Sequence, residues 1–562
     1  LHSFPTRRSS DLEPAAAAVF IRGIGQRDFT LNADPGVGIY VDGVYFARAA
    51  GSVMGTADIE QVEVLRGPQG TLFGRNTIGG AINLTTKRPG TVFGGNYEIG
   101  SGSDDLVMVR GSVDIPLSDR VLSKFSVHYT KQDGFVDKVL TGDTLGDKDS
   151  LSARSRFIVS VTDNLEFDLS VDGTRARENG APLVLVASNE AAGFPAFHNA
   201  VVAGAPCVPS PGSLADQRCY NSQWVPAGDS YKTFATGRTG SNLDMLGGSG
   251  TFRLDLEQLQ FKSITAYRRV DASFGRDEDH SPLLIAQTFN SPFEHRQFSQ
   301  EFQLTGESFE DRLVWVSGVY YFRETGSDRD NVTFNVVDVQ SGGQIDSDSY
   351  AAFGEADFRL ADRWTVTGGL RYSRDDKRWR PDQFVKSSLI GIPSGTRIQP
   401  YVWEELSASE WTPRVALRFQ ASDAFNAYAS FSRGFKSGGF SQRIFPPQAD
   451  IPSFRPEYAD VYEIGMKVMG LDNRLRFNAA VFHTDYKDLQ VLVSPVDTPA
   501  TITDNAAAAR IRGFELEAFF APVSGLTLQA GVGYLDSEYQ DVDIAASAGS
   551  RSEERRVGKE CR

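Results

Sequence analysis

The chain has 562 residues, of which 40% are hydrophobic, and it carries a formal net charge of −15. This acidic balance argues against a nucleic-acid-binding protein, because such proteins rely on a cationic surface. The mean hydropathy of −0.28 and the lack of any apolar run of about 18 residues exclude helical membrane spans, but not a membrane β-barrel, whose strands alternate apolar and polar side chains.

The two ends of the chain differ in character from everything between them. "HSFPTRRSSDL" and "RSEERRVGKEC" can both be translated from one oligonucleotide, read on opposite strands, that resembles a short-read sequencing adapter. We therefore exclude residues 1–12 and 551–562 as adapter-derived and expect a fragment that is open at both ends. The first excluded end carries a charge of +1, from Arg7, Arg8 and Asp11, and the last carries +2, from five basic and three acidic residues. The remainder of the chain therefore carries −18.

The first motif in chain order is the glycine-rich stretch "VEVLRGPQGTLFGRNTIGGAINLTTKRP", residues 62–89. It is not a phosphate-binding P-loop, because Arg75 and Asn76 follow Gly74 where that loop needs lysine and a hydroxyl residue. The blocks "GIGQRD" and "GVGIYV" lack the third glycine of a dinucleotide-binding turn. "VEVL" and "AINLTT" instead predict two short strands, and the glycines shape the connections between them.

From about residue 95 the chain repeats one hairpin format. In residues 157–172 apolar and polar residues alternate on both sides of a turn at residues 162–164, which is typical of strands with one apolar face. Similar hairpins turn at "SDR", "ADR" and "ASD" and near residues 257, 308, 471 and 523, so with a first strand at 96–100 about 17 strands are predicted. Short turns on one side and stretches of up to roughly 70 residues on the other favour an outer-membrane barrel over a soluble sandwich or propeller.

Two further features support this assignment. Aromatic residues near strand ends, namely Trp315, Trp364, Tyr372 and Phe425, fit an interfacial girdle. Cys207 and Cys219 form a close pair in the polar stretch "GAPCVPSPGSLADQRCY", which predicts a disulfide made in an oxidising compartment, with two free thiols as the alternative. Cys561 belongs to the excluded end.

Six sequence blocks carry a resemblance to a known family. "FIRGIG", "GVGIYVDGVYFAR" and "DIEQVEVLRGPQGTLFGRNTIGGAINLTTKRP" precede the barrel, and "FSRGFKSGGF", "FRPEYADVYEIGMK" and "IRGFELEAFF" lie within it. In this order and spacing they resemble the TonB-dependent outer-membrane receptors. The resemblance implies an all-β membrane barrel of 22 antiparallel strands, about 17 of them present, with part of an α/β plug domain in its lumen. We expect the plug at residues 13–90 and the barrel at 91–550, with its last strands missing.

The resemblance also implies active import across the bacterial outer membrane. The inner-membrane TonB complex would pull on an N-terminal TonB box, which should lie upstream of Glu13 and be absent here. The ligand would be a scarce small molecule, most commonly a ferric siderophore, with an oligosaccharide, cobalamin or an aromatic compound as alternatives. Outer-membrane lipids would surround the barrel, and no nucleic acid would be bound.

Arg66 is the plug residue that we expect to couple plug and barrel. A charge inside the lumen is costly unless it is paired. The resemblance implies that the arginine of "LRGP" is held by glutamates of the "YEIG" and "GFELEA" blocks, which correspond here to Glu463 and Glu515. Solvated charges in the lumen are the alternative.

The plug segments 26–34 and 44–51 are expected to form the apices that contact the ligand. They combine cations with aromatic rings, which suits an anionic, ring-bearing ferric siderophore. The candidates are Arg27, Phe29, Tyr45, Phe46 and Arg48, with ordinary plug packing as the alternative. Weaker candidates among loop aromatics are Trp224, Tyr231, Trp379 and Trp403.

No enzymatic, metal-dependent or cofactor-dependent function is predicted. The chain between the excluded ends has no G-x-S-x-G nucleophile motif, and its histidines form no ligand cluster at short spacing. His483 is expected to face the lumen rather than to bind haem. The plug blocks argue against a passive porin.

Overall fold

The computed structural model describes residues 18–26, 28, 30–48, 58–191, 193–204, 207, 216–442, 444–493 and 502–542. The ends predicted to be adapter-derived lie outside the described residues, as do Arg27 and Phe29. Among the described residues no helix is long and apolar enough to cross a membrane. Strands dominate, and they divide into a small N-terminal group and one large sheet.

The small N-terminal group contains six strands. They are β1 (Phe20–Ile21), β2 (Ile24–Gly25), β3 (Val37–Val41), β4 (Val44–Phe46), β5 (Ile59–Arg66) and β6 (Gly80–Thr86). β1 and β2 pair with each other, and the other four form a mixed sheet in the order β4-β3-β6-β5, in which β3 and β6 run parallel. The two short strands predicted at "VEVL" and "AINLTT" are confirmed as β5 and β6, which pair antiparallel.

Two glycines of the small sheet occupy positions that a side chain would disturb. Gly74 has a φ of +87°, and a Cβ there would lie 2.8 Å from the Arg371 guanidinium of the large sheet. Gly80 has a φ of +148°, and a Cβ there would lie 2.2 Å from the carbonyl oxygen of Leu65. The glycine-rich stretch therefore serves tight turns and close backbone approach, as the sequence predicts.

The large sheet begins at residue 94. Its strands, with the short strands of its loops, are β7 (Gly94–Ser101), β8 (Val107–Ser118), β9 (Val121–Gln132), β10 (Val136–Lys138), β11 (Thr144–Leu145), β12 (Lys148–Thr162), β13 (Leu165–Glu178), β14 (Lys232–Thr233), β15 (Gly240–Asp255), β16 (Leu259–Asp277), β17 (Ala286–Ser308), β18 (Leu313–Phe334), β19 (Val337–Ala361), β20 (Trp364–Pro381), β21 (Phe384–Ser388), β22 (Glu404–Ser422), β23 (Phe425–Lys436), β24 (Gly439–Phe440), β25 (Ser453–Phe454), β26 (Glu457–Gly470), β27 (Leu475–Val493), β28 (Ile502–Val523) and β29 (Leu526–Val542).

Seventeen long strands of this set form a barrel of sequential antiparallel neighbours, which confirms the predicted strand number. β21 continues the pairing of β20 with β19 near the tip of the β18–β19 hairpin. The first and last strands, β7 and β29, are adjacent in the sheet order, and both are largely exposed to solvent on both faces; Tyr97 of β7 is 84% exposed.

Turns and loops lie at opposite ends of the barrel. The turns at 119–120, 256–258 and 309–312 have two to four residues, whereas the loop from 179 to 239 is far longer. That loop contains α1 (Gly193–Phe197), a π-helical turn (His198–Val202) and a 3₁₀ turn (Ser222–Trp224). The predicted asymmetry between turns and loops is therefore confirmed.

The outer face of the barrel carries two levels of aromatic rings. The level toward the loops contains Tyr267, Phe298, Tyr321, Tyr350, Tyr372 and Trp411, which face one another across adjacent strands. The level toward the turns contains Phe167, Phe252, Phe261, Phe302, Trp364 and Phe419. Exposed aliphatic side chains such as Val319, Leu370 and Val415 lie between them. This pattern is that of a lipid-facing belt with interfacial girdles.

Candidate functional site

The small sheet lies in the barrel lumen and contacts the wall through three groups of charged side chains. We name them the central network, the arginine lock and the carboxylate contact. Apolar packing accompanies them: Leu31 and Phe46 of the small sheet and its loops join a buried cluster with Phe293, Trp379 and Phe440 of the barrel.

The central network is built around Glu324 of β18. Arg48, at the end of β4, binds both oxygens of this carboxylate at 2.7 and 3.1 Å, and its third nitrogen donates to Asp34 at 2.6 Å. His295 Nε2 lies 2.9 Å from Glu324, and Arg75 lies 3.3 Å from it. Each of these side chains is almost fully buried, so one carboxylate joins two plug cations to the barrel wall.

Two residues of β20 complete the central network. Lys377 donates to Asp34 at 2.9 Å, and Asp375 lies 3.6 Å from Arg75. Apart from His295, the network contains three basic and three acidic side chains, so the buried charges offset one another. Burial alone would raise the pKa of Asp34, but Lys377 and Arg48 hold that pKa below its usual value.

The arginine lock joins β26 and β28 to two plug arginines. Arg22, in the turn between β1 and β2, bonds to Glu463 at 2.6 Å and to Glu515 at 2.8 and 3.2 Å. Arg66, at the end of β5, bonds to Glu515 at 3.1 Å and to Glu517 at 2.5 Å.

This arrangement corrects part of the sequence hypothesis. The contact of Arg66 with Glu515 is present, but Glu463 is ion-paired with Arg22 and not with Arg66. The reason is geometric, because the Arg22 guanidinium also stacks 3.9 Å above the Phe482 ring, between Glu463 and Glu515. The coupling role of Arg66, Glu463 and Glu515 stays a prediction. Two members of the lock were not predicted, although Arg22 lies in the "FIRGIG" block and Glu517 lies in the "GFELEA" block.

The carboxylate contact lies at β9 and β12. Asp42, in the turn between β3 and β4, accepts hydrogen bonds from the backbone and hydroxyl of Thr86 and from the guanidinium of Arg154. Arg156 donates to the Thr86 carbonyl at 2.8 Å and lies 3.8 Å from Asp42. Plug and wall are therefore joined here by plug carboxylates and wall cations.

Asp58, just before β5, makes the second half of the carboxylate contact. Lys124 of β9 lies 3.1 Å from its carboxylate, and the Ser126 hydroxyl donates to it at 3.2 Å. Lys87 of the plug is also 3.6 Å away. The sequence analysis did not identify this contact.

The predicted ligand-contact residues in and just after β4 are buried between plug and wall. Tyr45 packs against Phe322, and burial raises the pKa of its hydroxyl above the usual value. Phe46 lies 4.0 Å beneath the Arg268 guanidinium, and Arg48 belongs to the central network. All three positions correspond to plug packing, the alternative weighed from the sequence. Their ligand contact stays a prediction, and Arg27 and Phe29 lie outside the described residues.

The long loop between β13 and β15 contains the cysteine pair. Cys207 and Cys219 are joined by a disulfide. His198 Nε2 lies 2.8 Å from the Arg218 carbonyl, and its Nδ1 accepts from Asn335 at the tip of the β18–β19 hairpin. The loop is thus fastened to that hairpin.

The other aromatic candidates lie in different surroundings. Trp224 is buried within the long loop, whereas Tyr231 is exposed. Trp379 is not a loop residue but a fully buried residue of β20, and Trp403 is half-exposed beneath Arg378 and Arg380. Among the residues that the structure describes, no three histidine, cysteine or acidic side chains form a group that could hold a metal ion.

Two family models match the chain. Residues 200–555 match the model described as "TonB dependent receptor-like, beta-barrel", and residues 4–81 match the "TonB-dependent Receptor Plug Domain". The chain belongs to the TonB-dependent receptor family. This confirms the resemblance, the barrel with a plug in its lumen, and the location in the bacterial outer membrane.

Known relatives of the receptor include the pesticin receptor of Yersinia enterocolitica. It is 25% identical over 90% of this chain and 67% of its own length. The metal-pseudopaline receptor CntO of Pseudomonas aeruginosa is 23% identical over 87% of this chain and 65% of its own length. The chain therefore spans about two thirds of the length of these relatives.

Solved structures show the same fold. The ferric yersiniabactin uptake receptor FyuA from Yersinia pestis superimposes with a TM-score of 0.74 at 20% identity, over 94% of this chain and 76% of that one. The siderophore receptor PiuA from Acinetobacter baumannii gives a TM-score of 0.67 at 15% identity, over 92% of this chain and 75% of that one. At these identities the likeness concerns the fold alone.

Proposed function

We propose that this TonB-dependent receptor imports a ferric siderophore across the outer membrane, driven by the TonB complex. The observation that carries the proposal is a plug that lies in the lumen and is fastened to the wall by ion pairs and packing. Such a plug blocks passive diffusion, so passage of a ligand requires work to displace it. Several receptors with the same fold are named for ferric siderophores, which supports this ligand class.

The TonB complex would act on an N-terminal segment of the receptor. The plug would extend over residues 13–90 and the barrel over 91–550, since β6 ends at Thr86 and β7 begins at Gly94. The receptor would release its ligand chemically unchanged, as a transporter and not as an enzyme.

The proposal is tested by uptake in a Gram-negative host that lacks its own siderophore receptors and siderophore synthesis. Cells that express the receptor are grown under iron chelation with single ferric siderophores, with ferric yersiniabactin as the first probe. Radioactive iron taken up is measured in hosts with and without TonB. We expect uptake from at least one siderophore, and only in the host with TonB.

Two results would contradict this proposal. Uptake that persists without TonB would remove the energised mechanism. Growth on cobalamin or an oligosaccharide, with no binding of any ferric siderophore, would assign the receptor to another ligand class.

A further inference from the structure

The plug divides the lumen wall into two sides of opposite charge. Its arginines contact acidic residues of β18, β20, β26 and β28, in the central network and the arginine lock. Its carboxylates Asp42 and Asp58 contact basic residues of β9 and β12. Two pairs depart from this pattern, because Asp34 binds Lys377 of β20 and Arg88 of the plug binds Glu166 of β13. We call the two sides the acidic wall (β18–β28) and the basic wall (β9–β16).

The basic wall contains cations placed directly side by side. Lys124 of β9 and Arg156 of β12 are opposite one another in the sheet register. Like charges in this position repel, so they need counter-ions. Asp58 and Asp42 of the plug provide part of the compensation.

The basic wall keeps counter-ions of its own when the plug carboxylates leave. Lys124 lies 3.3 Å from Asp114, and Arg156 lies 2.6 Å from Asp168. Asp172 serves both Arg154, at 3.9 Å, and Arg268, at 2.8 Å. Four basic side chains then face three acidic ones, so the wall is left with a modest positive excess and no isolated charge.

The acidic wall behaves differently. Among the ion pairs of the described residues, no lysine or arginine of the wall is paired with its plug-binding carboxylates, which are Glu324, Asp375, Glu463, Glu515 and Glu517. Removing the plug arginines would leave these carboxylates without a paired lysine or arginine, and most of them are largely buried. Uncompensated charges in such an environment are costly. Separation of the plug from the basic wall therefore costs less than separation from the acidic wall.

We propose that the plug opens a passage along the basic wall, and that Lys124, Arg154 and Arg156 then form an anion-binding site for the ligand in transit. The ligand chemistry that fits is an anionic metal chelate with carboxylate or phenolate oxygens, which guanidinium and ammonium groups bind by charge-assisted hydrogen bonds. The identity of this ligand rests on the proposed function, whereas the side on which the plug opens does not.

A labelling experiment tests the side of opening without any ligand. Ser170→Cys reports on the basic wall, because Ser170 is buried beside Arg154, and Thr412→Cys reports on the acidic wall, where Thr412 is buried beside Thr71 of the plug. Cells that express each variant are treated with a membrane-impermeant anionic maleimide, with and without TonB. The parent receptor, whose Cys207 and Cys219 are bonded, gives the background.

We expect labelling of Ser170→Cys to rise several-fold in the presence of TonB, while labelling of Thr412→Cys stays at its level without TonB. The proposal is overturned if Thr412→Cys labels as fast as Ser170→Cys, or if neither reporter responds to TonB.

A pair of tethers tests the same side through uptake. Asp58→Cys with Ser126→Cys joins the plug to the basic wall, where the two side chains are in hydrogen-bonding contact. Gly70→Cys with Thr412→Cys joins it to the acidic wall, where a Cβ at Gly70 would lie 2.9 Å from that of Thr412. The probe is ferric yersiniabactin, or the ferric siderophore selected by the growth test, and the parent receptor exposed to the same reductant controls for its native disulfide.

We expect the first tether to abolish uptake until it is reduced, while surface binding of the probe persists. The second tether should leave uptake largely intact. Blockage by the second tether alone, equal blockage by both, or blockage by neither would each overturn the proposed passage.

The anion site is tested by neutralising its cations. Lys124→Gln with Arg156→Gln should lower the uptake rate about tenfold, which corresponds to about 1.4 kcal/mol in the barrier, without a change in surface binding. Lys124→Arg with Arg156→Lys should retain uptake. Arg253→Gln is the matched control, since Arg253 pairs with Glu166 of the wall and not with the plug.

Equal uptake by the neutralised and parent receptors would contradict the anion site. If the proposed function is wrong, no variant takes up iron, but the contrast between the two labelled cysteines remains. If only the passage is wrong, the parent receptor takes up iron and that contrast is absent.

Discussion

Arg22 makes a more buried contact between plug and wall than Arg66 does. Its side chain is 7% exposed, bridges two glutamates of different strands and stacks on Phe482. The side chain of Arg66 is 29% exposed, and its partner Glu517 is 40% exposed. Solvent screens the ion pairs of Arg66 more than those of Arg22, so Arg22 contributes more to the stability of the plug.

Arg22→Ala should therefore loosen the plug more than Arg66→Ala. Loss of one partner from a largely buried ion pair costs about 3–5 kcal/mol, whereas a half-exposed pair contributes at most about 1 kcal/mol. Hydrogen exchange of the β1 and β2 amides measures the local opening free energy in each variant. Equal exchange in the two variants would show that burial does not set the strength of the arginine lock.

Gly74→Ala should destabilise the plug turn by about 1–3 kcal/mol, because its φ is strained for any other residue and the new methyl group would meet Arg371. Gly368→Ala is the matched control, since a Cβ there meets no atom within 4 Å. The rate of plug proteolysis in isolated outer membranes is measured for both variants, and we expect it to rise for Gly74→Ala and to stay at the parent value for Gly368→Ala. An unchanged rate for Gly74→Ala would mean that the turn can relax without cost.

At the residue scale, the sequence predicts which residue types meet but not which pairs form. The family blocks identify Arg66, Glu463 and Glu515. Glu463 nevertheless pairs with Arg22 and not with Arg66, because Arg22 stacks on Phe482, and that position could not be read from the sequence. Cations mixed with aromatic rings, as at Tyr45, Phe46 and Arg48, suit a ligand surface and a buried contact equally well. The prediction for His483 was wrong for a simpler reason: exposed Val481 and buried Phe482 show that odd positions of β27 face outward here.

At the scale of single elements, the segment that leads into β3 is sensitive to acid. The pKa of Asp34 is lower in the folded receptor than in an unfolded chain, so its ion pairs stabilise the plug above the unfolded pKa of about 3.9 and lose that effect as pH falls through the folded pKa. Between about pH 6 and 8, this carboxylate contributes no pH dependence.

We expect amide exchange of residues 31–34 to be slow and constant near neutral pH, after correction for intrinsic rates, and to quicken below about pH 4. Asp34→Asn should exchange faster than the parent near neutral pH, because it leaves Arg48 and Lys377 each without one partner, and this difference should shrink as Asp34 of the parent becomes protonated. Protection that rises on acidification would contradict the sign of this linkage.

The disulfide acts on one loop and not on the barrel. Cys207 and Cys219 are separated by 12 positions, and closing a loop of this length stabilises it by about 3 kcal/mol in the chain-entropy model. The double variant Cys207→Ser with Cys219→Ser should make the 179–239 loop more sensitive to protease added to intact cells. The melting temperature of the barrel should stay that of the parent, and a large fall in it would show that the loop supports the wall.

Elements with strict period-two patterns were the most predictable part of the fold. The hairpins around residues 119, 163, 257 and 471 follow from alternation and turn residues alone. Short loop strands such as β10, β14 and β21 were not predicted, because two to five residues carry too little pattern. Their positions depend on pairing partners that are distant in the sequence.

At the scale of the whole molecule, the lipid-facing belt is a stability determinant. Val415 is 54% exposed on the outer face, four residues from Trp411 of one girdle and four from Phe419 of the other. Val415→Lys should destabilise the barrel by about 2–4 kcal/mol, because it puts a charge at the middle of the membrane. Glu405→Lys, on the same strand but beyond the girdle, should cost at most about 1 kcal/mol. Equilibrium unfolding from lipid vesicles measures both, and equal costs would contradict the assigned belt.

Composition predicted a net negative protein but not how its charges are arranged. A charge of −18 between the excluded ends is compatible with an evenly acidic lumen. The separation into a basic and an acidic wall arises because β9, β12 and β16 contribute lysine and arginine at inward positions, while β18, β26 and β28 contribute glutamate. Which positions face inward follows from alternation, but which of them face the plug follows only from its orientation.

The two oppositely charged walls fix the rotational orientation of the plug about the barrel axis. A plug turned by about a third of a revolution would bring Arg22 and Arg66 toward the basic residues of β9 and β12, and Asp42 and Asp58 toward Glu324 of β18. Every ion pair of these two contacts would become a repulsion, so the barrel admits the plug in one angular register. A plug supplied as a separate polypeptide would therefore dock in the same orientation as one that is covalently attached.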